Sequence, residues 1–261
     1  MDDSGRSSAT VDALRLGLEP KQVQRFELTV ELKPETLILQ AEQGTEMPLI
    51  VCLHPPRFTE FQFAQKIRGL TDLHAHLAFP RGLHAHLVDL GGARTVGYDW
   101  CHYTGDNPSF RRSLETASEY VDRVMEQLFD RLPVDPRSIY ILGAEGGALF
   151  ASIYAVARSE TFAGVMTIGG YLLPEVLADH MPEKRRIPFL CIHRHRGRTH
   201  RRDLSGPRVE ELRRLGFPVD QEVLRGDFEA WQEEEAMILS WLHLKRGIGI
   251  DRETDEDGNF S

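Results

Sequence analysis

The chain is poor in the features that mark several classes of protein. It has three cysteines, Cys52, Cys101 and Cys191, and their wide spacing without a Cys-x-x-Cys pair argues against a disulfide scaffold or a cysteine zinc site. No hydrophobic run approaches the roughly 18 residues that a membrane helix needs. The N-terminus also lacks the basic and apolar stretches of a signal peptide. We therefore expect a cytoplasmic protein that does not associate with membranes.

An excess of basic residues is also missing. Lysine and arginine total 31 against 40 aspartates and glutamates, which gives a net charge of −9 and argues against a nucleic-acid partner. The chain has no internal repeat, low-complexity tract or Pro/Gly/Ser-rich linker, so we expect a single domain. We assign residues 1–20 to a polar N-terminal extension, residues 21–246 to the folded domain and residues 247–261 to an acidic flexible tail. No cofactor is expected, and the oligomeric state is left open.

Hydrophobic patterning indicates the class of fold. Residues 25–32 alternate in polarity, which predicts a half-buried strand with residues 36–39 as its antiparallel hairpin partner. Four continuous hydrophobic runs then suit parallel strands buried on both faces, namely residues 48–54, 138–143, 163–170 and 187–193. Helical periodicity is found in residues 113–132, 147–157, 207–216 and 231–245. This order predicts a three-layer α/β/α sandwich with a mostly parallel sheet and an N-terminal antiparallel hairpin.

The most specific motif follows the second of these runs and reads Gly-Ala-Glu-Gly-Gly over residues 143–147. A strand, a glycine-rich turn and a helix are the setting of a nucleophile elbow, G-x-S-x-G, whose glycines keep a tight turn free of Cβ clashes. Glu145 stands where that motif has its serine. The alternative interpretation is a plain strand-to-helix turn in which Glu145 interacts favourably with the helix dipole.

From Pro48 to about Trp241, the chain resembles the carboxylesterase and phospholipase branch of the α/β-hydrolase superfamily. The resemblance is carried, in this order, by PLIVCLH, AFPRG, VDPRSIYILG, SETFAGVMTIGGYL and the closing SWL helix. It implies an α/β-hydrolase fold and an esterase or thioesterase activity that depends on a Ser-Asp-His triad. The resemblance implies that Glu145 stands at the position of the nucleophile and Phe228 at the position of the catalytic histidine. The acid is expected in residues 193–197, but these include no carboxylate.

The resemblance also matches His54-Pro55-Pro56 with the oxyanion loop, where the prolines supply no backbone N–H. A serine mechanism needs all three members of the triad, so we predict a catalytically inactive relative that binds a ligand or a partner. An active esterase-type hydrolase that uses other residues remains the alternative. Glu145 as the nucleophile is disfavoured, because no histidine is left to hydrolyse the ester. The residues predicted to line the pocket are His54, Pro55, Glu145, Gly146, Arg194, Arg196 and Asp227.

Arginines are concentrated in a segment that follows the last of the four hydrophobic runs, at residues 194–202. Loops after the carboxyl ends of parallel strands line the ligand crevice, so this segment is predicted to lie at the mouth of the site. Arginine binds carboxylates and phosphates, which makes a small-molecule or anionic ligand the expected partner. We also predict an ion pair between Glu145 and one of these arginines that fills the pocket. A solvated loop is the alternative.

Two histidine pairs suggest a third function. His74 and His76 resemble the metal ligands of amidohydrolase barrels, and strand alternation would place both imidazoles on one face. His84 and His86 repeat this spacing. A metal-dependent hydrolase that uses His74 and His76 is therefore a further hypothesis. Barrel periodicity is missing, however, so we favour surface histidines that flank a strand over residues 77–80, and we expect no bound metal.

Overall fold

The computed structural model describes residues 35–41, 46–89, 94–102, 107–170, 186–195, 205–225 and 231–249. The predicted N-terminal extension over residues 1–20 and the predicted strand over residues 25–32 lie outside these ranges, and so does the first arm of the predicted hairpin. Within them, no helix combines the length and the hydrophobicity needed to span a lipid bilayer.

Seven strands of the described part form one mixed sheet. Its members are β1 (Thr36–Leu39), β2 (Met47–Leu53), β3 (His76–Pro80), β6 (Val134–Ala144), β7 (Gly164–Ile168), β8 (Phe189–His195) and β9 (Val219–Arg225). They lie in the order β1-β3-β2-β6-β7-β8-β9. Only β1 runs antiparallel to its neighbour β3, while the other described pairs are parallel.

Two further strands, β4 (His84–Asp89) and β5 (Arg94–Asp99), form a separate antiparallel ribbon. Opposite residues in such a ribbon share a face. The pair of Leu87 and Val96 lies on the exposed face, whereas Val88 and Thr95 lie on the partly buried inner face. This ribbon was not predicted from the sequence. The burial of residues 84–89 alternates with the period of a strand, but their polarity alternates only over residues 84–87.

The helices of the described part cover both faces of the sheet. They are α1 (Glu60–Lys66), α2 (Asn107–Arg131), α3 (Gly146–Ala157), α4 (Ser205–Arg214) and α5 (Gln232–Arg246), with a 3₁₀ helix at Arg68–Asp72. A capping box begins α1, in which Thr59 and Gln62 exchange hydrogen bonds between side chain and backbone. Gly247, at φ 70°, ends α5.

Alternating side chains of the central strand β2 divide the core into two clusters. Leu49, Val51 and Leu53 pack with α2 and α3 on one face, and Ile50 and Cys52 pack with α1 and α5 on the other. All five of these side chains have no exposed surface. The predicted three-layer sandwich with a mostly parallel sheet is therefore confirmed.

The folded domain continues past residue 246, its predicted end. Ile248 is buried against the second core cluster. The carbonyl oxygen of Gly249 accepts a hydrogen bond of 2.8 Å from the backbone N–H of His74. At least the first residues of the predicted flexible tail are thus packed on the domain, while residues 250–261 lie outside the described ranges.

Candidate functional site

The turn between β6 and α3 has the backbone of a nucleophile elbow. Glu145 adopts φ 49° and ψ −112°, a positive-φ conformation that strains any residue with a Cβ. Hydrogen bonds hold the strained peptide in place. The Glu145 N–H donates to the Ile168 carbonyl at 2.9 Å, and the Glu145 carbonyl accepts from Ala148 and Leu149 at 3.1 and 3.2 Å. The turn therefore has a strained, hydrogen-bonded backbone with a glutamate at its centre.

Close backbone contact explains the glycines of this turn. A Cβ added to Gly143 would lie 2.4 Å from the Gly147 carbonyl oxygen. A Cβ on Gly147 would lie 2.5 Å from the carbonyl oxygens of Leu53 and His54 at the end of β2. The first turn of α3 therefore packs directly on the β2 backbone, which no other residue type allows. This joint fixes the elbow against the loop that follows β2.

The loop after β2 corresponds to the predicted oxyanion loop, and its backbone donors are absent or already used. Pro55 and Pro56 have no N–H. The Arg57 N–H donates to the Tyr98 carbonyl and to Asp99 Oδ1, both at 2.9 Å. An oxyanion hole needs two donors directed at the developing charge. Gly146, the first residue of α3, has an N–H with no acceptor within the helix.

His54 is a structural residue and does not line an open pocket. Its side chain has no exposed surface. Nε2 accepts a hydrogen bond of 2.9 Å from the Gly82 N–H, so the ring proton is on Nδ1, which donates to the Pro55 carbonyl at 2.8 Å. Burial lowers the pKa of His54 below its ordinary value, which keeps the ring neutral. His54 therefore exposes no surface to a ligand, contrary to its predicted place in the pocket, and Pro55 is buried as well.

The β4–β5 ribbon is fixed to the same loop. A Cβ on Gly97 would lie 1.9 Å from the Arg57 carbonyl oxygen, so the Arg57 backbone crosses directly over β5. Arg57 has φ 66° and is, with Glu145, one of two non-glycine residues with positive φ in the described part of the chain. Pro56 connects the two turns, because a Cβ on Gly146 would lie 2.8 Å from Pro56 Cγ. Both strained residues thus belong to one small region.

An ion pair attaches the start of the ribbon to α1. Arg81 donates from Nε and Nη2 to the two carboxylate oxygens of Glu60, at 2.9 and 2.5 Å. Burial alone would raise the pKa of Glu60, but the hydrogen bonds from Arg81, a backbone hydrogen bond and the charge of Arg81 together hold that pKa below its ordinary value. Glu35 also pairs with Arg81. This AFPRG segment is therefore a structural support of the site.

The inner face of the ribbon carries a histidine cluster. The rings of His84 and His86 lie 5.8 and 5.9 Å from the ring of His102. His86 Nε2 lies 2.8 Å from Asp99 Oδ2. Burial, followed by the charge of His102, lowers the pKa of His84. Among the residues that the structure describes, no group of three or more histidine, cysteine or acidic side chains is arranged to hold a metal ion.

The other histidine pair does not have the predicted geometry. His74 is exposed and precedes β3, whereas His76 is the first residue of that strand and is fully buried. His76 Nδ1 accepts a hydrogen bond of 3.2 Å from the Ala41 N–H. The expectation that both imidazoles share one strand face is therefore wrong. The alternative interpretation, that both are surface residues, holds for His74 but not for the buried His76.

The remaining predicted site residues are only partly described. Arg194 lies in β8, paired in register with Leu224, so residues 194 and 195 belong to a strand and not to the predicted basic loop. Arg196, Asp227 and Phe228 lie outside the described ranges. Glu145 is exposed, and its predicted ion pair with an arginine of residues 194–202 stays a prediction. The arginines beyond residue 195 that were predicted to approach it are not described.

Comparisons with known proteins agree with this architecture. No protein-family model matches the chain, and no curated protein matches it in sequence. Among solved structures, esterase PE8 is similar with a TM-score of 0.64 and 20% identity, over 79% of this chain and 98% of that one. Acyl-protein thioesterase 2 from Zea mays has a TM-score of 0.59 and 15% identity, over 80% and 99% of the two chains. A carboxylesterase from Mesorhizobium loti has a TM-score of 0.59 and 17% identity, over 83% and 97%.

These neighbours, together with the sheet order and the elbow, show that the chain has the α/β-hydrolase fold. The predicted resemblance to esterases and thioesterases is confirmed at the level of the fold. A shared fold does not establish an activity, so the function depends on the residues of the turn after β6 and of the loop after β2.

Proposed function

We propose that this protein is a non-catalytic relative of esterases and thioesterases that binds a ligand or a partner at the remodelled elbow. The supporting observation is the combination of Glu145 at the strained elbow position with a neighbouring loop whose N–H groups are absent or engaged. A carboxylate lacks the hydroxyl that a serine mechanism activates. Pro55, Pro56 and Arg57 also offer no free N–H to an oxyanion.

The cysteines offer no substitute nucleophile. All three are free thiols, and burial raises the pKa of Cys101 to about 11 and the pKa of Cys191 to about 12. The pKa of Cys52 is raised further by complete burial. Thiolates are the reactive form, so these side chains are inert at neutral pH. Free thiols also agree with our proposal that the protein works in the cytoplasm.

A fluorophosphonate probe tests the proposal directly, because it labels activated serines. We expect no labelling of the wild type or of Glu145→Ser, since a serine at residue 145 has no imidazole from the matched histidine position to activate it. An active bacterial carboxylesterase serves as the positive control. Labelling of the wild type would overturn the proposal.

Hydrolysis of p-nitrophenyl butyrate separates the proposal from the alternative of a working hydrolase. We expect the wild type, Glu145→Ala and the size-matched Glu145→Gln to be equally inactive above the buffer rate. Turnover that is present in the wild type and lost in both variants would instead establish an enzyme that uses Glu145.

A further inference from the structure

We propose that the groove between the inner face of the β4–β5 ribbon and α1 binds a small anionic molecule with an apolar body. This groove has a volume of about 560 Å³, and none of the residues that line it belongs to the elbow turn at residues 143–147. Its size falls within the range of about 300–1,000 Å³ typical of small-molecule sites. The site is separate from the elbow, so it goes beyond the proposed function and does not depend on the loss of the triad.

The charge of the groove is opposite to that of the chain. Arg57 and Lys66 both line it, and no acidic side chain does. Neither cation forms an ion pair with any residue that the structure describes. The chain as a whole carries a net charge of −9. Two unpaired cations facing one groove on an acidic protein are complementary to a carboxylate or a phosphate.

The helix side of the groove presents further donors in a fixed arrangement. Gln62, Gln65 and Lys66 are spaced by three and four residues, so they share one face of α1. The capping box uses Gln62 Oε1 to accept the Thr59 N–H at 2.9 Å. The amide NH₂ of Gln62 is therefore the part of this side chain left to donate to an anion.

The opposite side is rigid and partly apolar. Phe58 and Val88 contribute hydrophobic surface, which suits the body of an amphiphilic ligand. The backbone of Arg57 is held at φ 66° by its bonds to β5, and the Phe58 carbonyl accepts from the Tyr98 N–H at 3.0 Å. Strained conformations persist where the surrounding structure fixes them, and they are concentrated at ligand sites.

Calorimetric titration of the full-length protein with three compounds of equal chain length tests this proposal. Octanoate and octyl phosphate carry the two candidate anions, and octanol is their neutral analogue. We expect at least one anion to bind at least about tenfold more tightly than octanol, because hydrogen bonds to charged groups contribute this much. Preference between the two anions identifies the headgroup. Equal binding of octanol, or no binding of either anion at millimolar concentration, would overturn the proposal.

Charge variants locate the site. We expect Arg57→Gln and Lys66→Gln each to weaken binding of the preferred anion about tenfold while the melting temperature stays unchanged. Arg68→Gln is the matched control, because it removes one neighbouring exposed cation that does not line the groove. Equal weakening by all three variants would show a general charge effect and contradict a built site. Fluorophosphonate labelling, by contrast, would overturn the proposed function and leave this site in place.

Discussion

The turns after β6 and after β2 are in contact, and in the proposed function they differ from a serine hydrolase in different ways. At Glu145 the strained backbone of an elbow is present and the side chain is a carboxylate. After His54 two prolines have no N–H groups, and β5 engages that of Arg57. A single substitution can restore a serine to the first turn. The second cannot regain its donors without being rebuilt, so we infer that its changes are the stronger barrier to catalysis.

We expect the largest loss of stability when the close contact between Gly147 and the end of β2 is disturbed. Gly147→Ala places a Cβ 2.5 Å from two carbonyl oxygens at the end of β2, and backbone atoms cannot move aside as a flexible side chain can. We expect the free energy of unfolding in urea to fall by about 3 kcal/mol. The matched control is Gly247→Ala, at φ 70° with open space around it, which should cost only about 1 kcal/mol. Equal losses would show that the two turns are not in close contact.

The next effect tests His54 as the structural residue of the β2 turn. His54→Gln disturbs the bond that Nε2 accepts from the Gly82 N–H, so we expect a loss of about 1–3 kcal/mol in the free energy of unfolding near neutral pH. A loss under a few tenths of a kcal/mol would contradict the buried bond, since surface changes have effects of that size.

We expect His54→Gln also to change how the free energy of unfolding depends on pH. Burial lowers the pKa of His54 in the folded state, as it does the pKa values of His76 and His84. The unfolded state therefore binds more protons below the ordinary histidine pKa of about 6.5, and stability falls as the pH drops through that value. We expect the stability difference between about pH 5 and pH 8 to be smaller in His54→Gln than in the wild type. An unchanged difference would mean that His54 is not held neutral.

How far the sequence predicts the structure depends on the kind of signal. Continuous hydrophobic runs predict β2, β6, β7 and β8, because burial on both faces demands apolar side chains throughout. The glycines around Glu145 predict the elbow, because close backbone contact excludes every Cβ. By contrast, the sequence signal for β4 is short. Polarity alternates only over residues 84–87, because Leu87 and Val88 are both apolar, and the regular alternation along β4 is one of burial, which depends on tertiary contact.

The groove residues were missed for a different reason. Arg57 and Lys66 lie nine positions apart in a sequence that has 31 basic residues, and nothing local distinguishes them. Their significance arises only when the ribbon folds over α1 and places both at one groove without acids. The backbone strain at Arg57 likewise depends on its bonds to β5. Properties that come from tertiary contact leave no periodic signal in the chain.

The smallest expected effect separates strain from side-chain contact at the elbow. Glu145→Gly removes the Cβ that makes φ 49° unfavourable, whereas Glu145→Ala keeps it. We expect the glycine variant to be about 1 kcal/mol more stable to urea than the alanine variant, and the alanine variant to lie within about 0.5 kcal/mol of the wild type because Glu145 is exposed. A loss of about 3–5 kcal/mol in Glu145→Ala would instead reveal a buried ion pair with the arginine segment. The elbow would then be closed by its own side chain, and ligand binding there would require that pair to open.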